Sequence, residues 1–454
     1  MKKFSTCVLL LVLLMLAACA TDTQPTPAPT VAPTVAAPLA SPAPVANCPC
    51  LKVYALPEVG IKVVMDAIDG AQKSVRLKMY LFTEPQMVEA LRRAAQRKVD
   101  VKILMELNPF GGGTSNLDIY NALKDSGVQW KWSDREAYRF THEKSLVIDD
   151  KVAYIMTHNF TTSSFLANRE YGVIDTHPAD VTEIVRVFDA DWNRQKPDLS
   201  NARLVWSPVN ARQRILALLD EAKTSIDLEQ AEMLDAEIGD HLLAAIKRGV
   251  KVRLVSSAYD PIEKDNNELQ KEALRRAGAE VRYQDEPYVH AKMYLIDNRK
   301  AFIGSENNST NSLNNNRELG IIFDEVAAIV TVAQTFEKDF AKGTKEPFPK
   351  GDTPIPPSGV VDAKDAAKYY NRTVTVEGVV MNIYKSERVI WLIMGANREK
   401  DMKAVIFPQD WPKFPDLPDK LFANKKIRVT GRVEKYLDAP EIIVRDPKAI
   451  EVVK

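Results

Sequence analysis

The chain has 454 residues, 45% apolar and 27% charged, which is enough for sizeable cores and excludes disorder of the chain as a whole. Its length suggests about three domains, and four cysteines in a chain this long exclude a disulfide scaffold. Lys+Arg and Asp+Glu both count 61, so zero formal net charge removes the simplest argument for nucleic-acid binding and leaves room only for a local basic surface.

Residues 1–19 read as an export signal. Lys2 and Lys3 supply the positive start, and Val8 to Leu16 is an apolar run too short to span a bilayer with ease. The run ends in Leu16-Ala17-Ala18-Cys19, which resembles the lipobox of bacterial lipoproteins. That resemblance implies cleavage before Cys19, a lipid on Cys19, and a protein anchored in the bacterial cell envelope. An ordinary secretory signal is the alternative. Without Lys2 and Lys3 the chain keeps 59 basic and 61 acidic residues. Residues 20–50 are dominated by Thr, Pro, Ala and Val and read as an extended tether to a membrane. Cys48 and Cys50 sit at its end. A disulfide across one residue is strained and two lone Cys make a weak metal site, so a local or intermolecular disulfide is the plain reading.

An internal repeat organises the chain from residue 51 to residue 345. Ala71 to Leu77 matches Ala222 to Leu228, with Ser74 and Ser225 lying 151 positions apart. Each copy then shows an amphipathic helix and a strand. The first has Val88 to Lys98 and Val99 to Leu104; the second has His241 to Gly249 and Val250 to Val255. Ser126-Gly127-Val128 matches Ala277-Gly278-Ala279 at the same offset, after which the second copy loses three residues and the offset becomes 148. Alternating helix and strand predict α/β layers in two units, residues 51–198 and 199–345.

At the offset of 148, His142, Lys144 and Asp149 match His290, Lys292 and Asp297, both in the pattern H-x-K-x-x-x-x-D. Asn159 pairs with Asn307, and Asn168-Arg169-Glu170 with Asn316-Arg317-Glu318. A duplication kept for packing explains the offsets and leaves unexplained these polar residues in a β-rich context. Over residues 51–345 the chain resembles the phospholipase D superfamily. The second motif continues as Gly304-Ser305-Glu306-Asn307, the family's G-S-x-N; the first has Met156-Thr157-His158-Asn159. Thr keeps a hydroxyl, whereas Met adds bulk and removes backbone freedom, so an asymmetric site is expected.

In H-x-K, two side chains two positions apart on a predicted strand leave the same face of the sheet. The resemblance implies one site between the repeats, on a pseudo-two-fold axis, with chemistry that needs no metal or cofactor. One neutral His attacks phosphorus and forms a phosphohistidine. The other protonates the leaving oxygen and then takes a proton from water or an alcohol. Lys144, Lys292, Asn159 and Asn307 stabilise the phosphoryl oxygens, with hydrogen bonds added by Thr157 and Ser305. Glu170 and Glu318 bond the other ring nitrogen of each His and fix its tautomer. Asp149 and Asp297 are structural, at a strand end. Family habit favours His142 as nucleophile; sequence symmetry does not decide it.

The chain has three further histidines. His241 reads as solvated on a helix and His177 as a turn residue before Pro178. His158 either lines the cleft or faces away from it. Gly111-Gly112-Gly113 is a loop without a nucleotide fingerprint.

Residues 346–360 read as a linker, with five prolines and two glycines between 346 and 359. Residues 361–454 then hold five strand-like runs: Val374 to Tyr384, Val389 to Met394, Met402 to Phe407, Lys426 to Tyr436, and Glu441 to Val444 with a continuation to Val453. With the Pro408 to Asn424 insertion after the third, they resemble an OB-fold, a small β-barrel. Residues 362–454 carry 18 basic and 14 acidic residues. Tyr384, Trp391, Trp411, Phe414 and Tyr436 either offer stacking for nucleic acid or fill the core and rim of the barrel.

The leading expectation is a membrane-tethered, exported nuclease. The alternative is a phospholipase D or phosphatidyltransferase acting on phospholipids, against which the mature chain shows no transmembrane or lipid-facing amphipathic segment. A surface binder without catalysis is the third reading. Both motifs lie in one chain, so a monomer completes the site.

Overall fold

The apolar runs of the first repeat become seven strands. They are β1 (Leu51–Leu56), β2 (Ser74–Met79), β3 (Asp100–Met105), β4 (Gln129–Trp132), β5 (Ser145–Ile148), β6 (Val152–Met156) and β7 (Asn168–Asp175). Between and after them lie α1 (Lys62–Gly70), α2 (Pro85–Gln96), α3 (Ser115–Leu123), α4 (Thr162–Leu166) and α5 (Pro178–Trp192). The second repeat supplies β8 (Leu204–Ser207), β9 (Ser225–Gln230), β10 (Lys251–Ser256), β11 (Glu280–Tyr283), β12 (Tyr288–Val289), β13 (Lys292–Ile296), β14 (Lys300–Gly304) and β15 (Glu318–Phe323). Its helices are α6 (Ala211–Glu221), α7 (Ala236–Lys247), α8 (Asn266–Ala277), α9 (Thr310–Asn314) and α10 (Val326–Lys342).

The computed structural model describes residues 50–110, 113–257, 266–345, 353–370, 372–387, 389–436 and 439–453. The signal, Cys19, Cys48, the tether before residue 50, Gly111, Gly112 and residues 346–352 of the linker lie outside them. Cys50 is disulfide-bonded. No helix among the described residues is long and apolar enough to cross a membrane.

The two sheets repeat one topology. The first runs β4-β3-β2-β5-β6-β7-β1 and the second β11-β10-β9-β13-β14-β15-β8. The helices α2 and α7 begin earlier than the sequence suggests because Glu84 and Asp235 cap them, accepting the Gln86 N–H and the Ile238 N–H at 3.2 Å each. One apolar cluster draws on both sheets. Val147, Ile155, Tyr171 and Val173 from the first meet Trp206, Leu295, Ile303 and Ile321 from the second, with α5 and α10 packed against them. The strand β12 leaves its own repeat and pairs with β7 of the other, Tyr288 opposite Asn168 and Val289 opposite Arg169. Burying these faces together holds the repeats in one fixed relation.

The C-terminal region departs from the five-strand expectation. The run Val374 to Tyr384 breaks at Val380-Met381 into β17 (Thr373–Val379) and β18 (Asn382–Lys385), after a short β16 (Val360–Asp362). Then come β19 (Ile390–Ile393), β20 (Lys403–Ile406), β21 (Lys426–Arg432), β22 (Glu434–Tyr436), β23 (Ala439–Ile443) and β24 (Ile450–Val452). They form two sheets, β16-β17-β21-β24 and β18-β19-β20-β23-β22, around one apolar core. The described strands do not close into a barrel: the two sheets stay open, although both long runs pass from one sheet into the other. The OB-fold expectation therefore reaches only two open sheets. Phe414 packs in the core and Trp411 against it. Tyr384, Trp391 and Tyr436 instead form a ring cluster, with centroids 4.9 and 6.5 Å apart along the series.

Candidate active site

The H-x-K segments lie just before the strands on which the sequence reading puts them. His142 to Lys144 precede β5, and His290 lies between β12 and β13, with Lys292 opening β13. They are held extended by the opposite repeat. The His142 and Glu143 N–H groups donate to the Arg317 carbonyl at 2.9 and 2.8 Å, and the His290 N–H to the Arg169 carbonyl at 3.1 Å. Each motif is thus clamped onto the N-R-E segment of the other copy.

The same crossing places the carboxylates. His142 Nδ1 lies 2.7 Å from Glu318 Oε2, and His290 Nδ1 lies 2.7 Å from Glu170 Oε1. An imidazole that donates from Nδ1 keeps its lone pair at Nε2. Lys144 Nζ lies 3.0 Å from His142 Nε2 and donates to the His142 carbonyl at 2.7 Å. Lys292 Nζ lies 3.3 Å from His290 Nε2 and donates to the His290 carbonyl at 2.6 Å. Each repeat therefore presents one nucleophilic nitrogen beside one ammonium.

Burial dominates the electrostatics. It pushes His142 down to about 4, with the Lys144 ammonium adding to the fall and Glu318 opposing it. Burial also brings Lys144 down to about 7, while Glu318 pulls the other way. His290 and Lys292 are lowered for the same first reason. Burial disfavours the charge on Glu170, yet His290 and Lys292 hold it ionised, at about 2. Glu318 is lowered in the same way by His142 and Lys144, and Ser312 donates to it at 2.5 Å.

The supporting residues divide. Asn159 accepts the Leu81 N–H at 3.3 Å, and Asn307 Oδ1 has no hydrogen-bond partner among the described residues. Thr157 and Ser305 have protein partners. Both are fully buried: Thr157 donates to Glu170 at 2.5 Å, and Ser305 accepts the Leu319 N–H at 3.1 Å. Asp149, at φ 56°, accepts the Gln72, Lys73 and Ser74 N–H groups; Asp297, at φ 51°, accepts those of Lys223, Thr224 and Ser225. Each ties a strand end to the start of its repeat, far in sequence from the histidine ahead of it.

The departure from G-S-x-N has a steric meaning. A Cβ on Gly304 would stand 2.2 Å from Glu306 Oε2 and 2.6 Å from the Gly320 Cα. The glycines leave a slot, and the fully buried Glu306 carboxyl occupies it, with neither oxygen hydrogen-bonded to a side chain among the described residues. In the first repeat Met156 stands where Gly304 does, and His158 stands in place of Glu306. His158 faces the core, with Nε2 2.8 Å from the Tyr54 hydroxyl. His241 bonds Asp220 at 2.8 Å, and His177 occupies the N-cap position of α5 beside Asp180 without a side-chain capping bond.

Sequence reasoning assigned the arginines of N-R-E no role. Arg317, from the second repeat, forks onto Asp191 of α5 at 2.8 and 3.0 Å; Asp191 and Glu143 also hold Lys78, at 2.6 and 3.0 Å. Arg169, from the first, forks onto Asp339 of α10 and onto Glu58. Asp191 and Asp339 are separated by the same 148 positions as the histidines, a signal that was open to sequence inspection. Among the described residues no group of three or more His, Cys, Asp and Glu side chains is placed to hold a metal ion.

Two like units that exchange carboxylates across paired H-x-K segments define a phospholipase D-superfamily enzyme acting on phosphodiesters. The chain belongs to the family described as "Cardiolipin synthase, PLD-like domain", which matches residues 64–192 and 215–342. It is similar to cardiolipin synthase B of Salmonella typhi, 26% identical over 308 residues that cover 58% of this chain and 73% of that one. It is also similar to the human mitochondrial cardiolipin hydrolase, 30% identical over 130 residues, 28% of this chain and 50% of that one. Its fold matches a crystal structure of phosphatidylserine synthase from Haemophilus influenzae Rd KW20, with a TM-score of 0.52, 14% identity, and coverage of 65% of this chain and 88% of that one.

Proposed function

We propose that the protein cleaves a phospholipid phosphodiester through a phosphohistidine and delivers the phosphatidyl group to water or to an alcohol. What carries the phospholipid substrate is that both repeats together align with a relative named for cardiolipin synthesis, over 73% of its length. The crossed His–Glu pairs, each at 2.7 Å, support the chemistry.

His142 is the nucleophile, with Nε2 attacking phosphorus while Glu318 holds its Nδ1 proton. His290 protonates the departing oxygen. Burial keeps it neutral in the free site, and the arriving phosphate anion raises its basicity. It then takes a proton from water or the acceptor alcohol as that oxygen attacks phosphorus and releases His142. Lys144, Lys292, Asn159 and Asn307 stabilise the phosphoryl oxygens. Thr157 supports Glu170, and Ser305 supports the strand that carries Glu318. Asp149 and Asp297 hold the motif strands in register. Residues 51–198 and 199–345 form the catalytic pair in a monomer, and 361–454 a separate β domain. A lipid on Cys19 and the tether 20–50 keep the module at an envelope membrane, close to its substrate.

A nuclease, placed first on sequence grounds, becomes the second reading because the relatives are named for phospholipid chemistry. Its support is the Tyr384–Trp391–Tyr436 cluster, with Arg398 3.9 Å from the Tyr384 ring, on which bases can stack. The test is head-group release from vesicles and nicking of supercoiled plasmid, both in EDTA, by wild type and His290→Ala. Release by wild type alone supports the proposal. Nicking without release moves the assignment to the nuclease. Undiminished activity in His290→Ala removes the mechanism.

A further inference from the structure

Among the described residues, a lip stands on the His142 side of the site. Tyr80 stands edge-on to His142 with ring centroids 4.5 Å apart, and Lys144 Nζ lies 5.2 Å from the same ring. The Tyr80 hydroxyl accepts the Phe110 N–H at 2.6 Å, and the Tyr80 ring meets Phe140 edge-on at 5.9 Å. Phe110 itself is 88% exposed. Arg139 is exposed too. Its guanidinium lies 5.8 Å from the Phe140 ring, and among the described residues it pairs with no carboxylate. At the repeat offsets Ala231 replaces Tyr80 and Pro287 replaces Arg139.

A phenyl group held in water is unfavourable, and this one is bonded through its backbone to a ring that touches His142. An exposed apolar ring and an unpaired cation at the mouth of a phosphodiester site match a lipid interface. There the ring leaves water and the guanidinium meets lipid phosphates. We infer that Phe110 and Arg139 form a lip by which the cleft settles on an anionic phospholipid surface. The inference rests on the phospholipid reading above. It adds where the surface is met: on the His142 side, beside Tyr80.

The test compares full-length wild type, Phe110→Ser, Phe110→Leu and Arg139→Ser. Substrates are phosphatidylglycerol vesicles, phosphatidylcholine vesicles and a short-chain phosphatidylglycerol kept monomeric, and the readout is the ratio of vesicle to monomer turnover. Phe110→Ser lowers the ratio about tenfold, and Phe110→Leu restores it. Arg139→Ser lowers it on anionic vesicles alone, by a factor that shrinks in high salt. Equal ratios in all four proteins, with phospholipid still cleaved, overturn the lip and leave the phospholipid reading standing. Cleavage of single-stranded DNA without cleavage of either phospholipid form overturns both.

Discussion

His142 Nδ1 and Glu318 Oε2 are 2.7 Å apart although 176 positions separate them in the chain. Glu318 sits at the start of β15 and is fully buried, so the bond aligns the ring from behind and leaves Nε2 toward the cleft. Glu318→Gln keeps the shape and reverses the preferred tautomer. Removal of such an orienting carboxylate lowers kcat by about 10²–10⁴-fold. Glu170→Gln acts on His290 in the same way. Steady-state kinetics should show the loss in kcat more than in KM; a loss confined to KM would place these carboxylates in substrate binding instead.

The pH profile follows from burial. Lys144 titrates near 7, so kcat/KM falls on the alkaline side as its positive charge is lost. Lys144→Arg, which stays charged, should move that limb to higher pH. On the acid side kcat/KM falls as His142 becomes protonated near 4. The same imidazole destabilises the fold in acid. Its folded value is about 4 against 6.5 for the free group, so the unfolded chain binds the extra proton and stability drops as pH falls from 6.5 to 4. Kinetics and denaturant unfolding across this range check both signs.

Arg317 carries the clamp between the repeats. Arg317→Met takes the guanidinium fork from buried Asp191, which then keeps Lys78 alone, and the loss of this buried pairing costs up to about 3–5 kcal/mol. The Arg317 side chain anchors the segment whose carbonyl holds the His142 N–H, so activity should also fall in the protein that remains folded. Urea unfolding with parallel kinetics measures both. A variant of unchanged stability would show that the apolar core alone joins the repeats.

Gly304→Ala pushes a methyl group into the Glu306 carboxyl and the Gly320 backbone. Overpacking of this kind costs about 1–3 kcal/mol. Adding Glu306→Ala should recover only part of the loss, because the Gly320 contact remains. Met156→Gly, at the matching place in the first repeat, should instead leave a void, and thermal unfolding of the three variants separates overpacking from loss of contacts.

Much of the catalytic module was legible because duplication writes each feature twice. The offsets of 151 and 148 locate both motifs, the capping acids Glu84 and Asp235, and the arginines. Less was legible where only one copy exists. The bends at Val380-Met381 and Val433 depend on which sheet each half of a run joins, and five expected strands became nine among the described residues. The partners of Thr157 and Ser305, the Glu170 carboxylate and the Leu319 N–H, were not legible either, because they depend on how the strands pack.

By itself the sequence determined the residue types of the site, their pairing by repeat and the α/β layering, since all three are carried by local spacing and by periodicity. Only the tertiary structure decided which glutamate serves which histidine. The partners come from opposite repeats because each H-x-K segment finds its backbone hydrogen bonds on the other copy. It also decided the charge states: exposed imidazoles and amines would titrate near their ordinary values, and burial against the opposite repeat is what moves them.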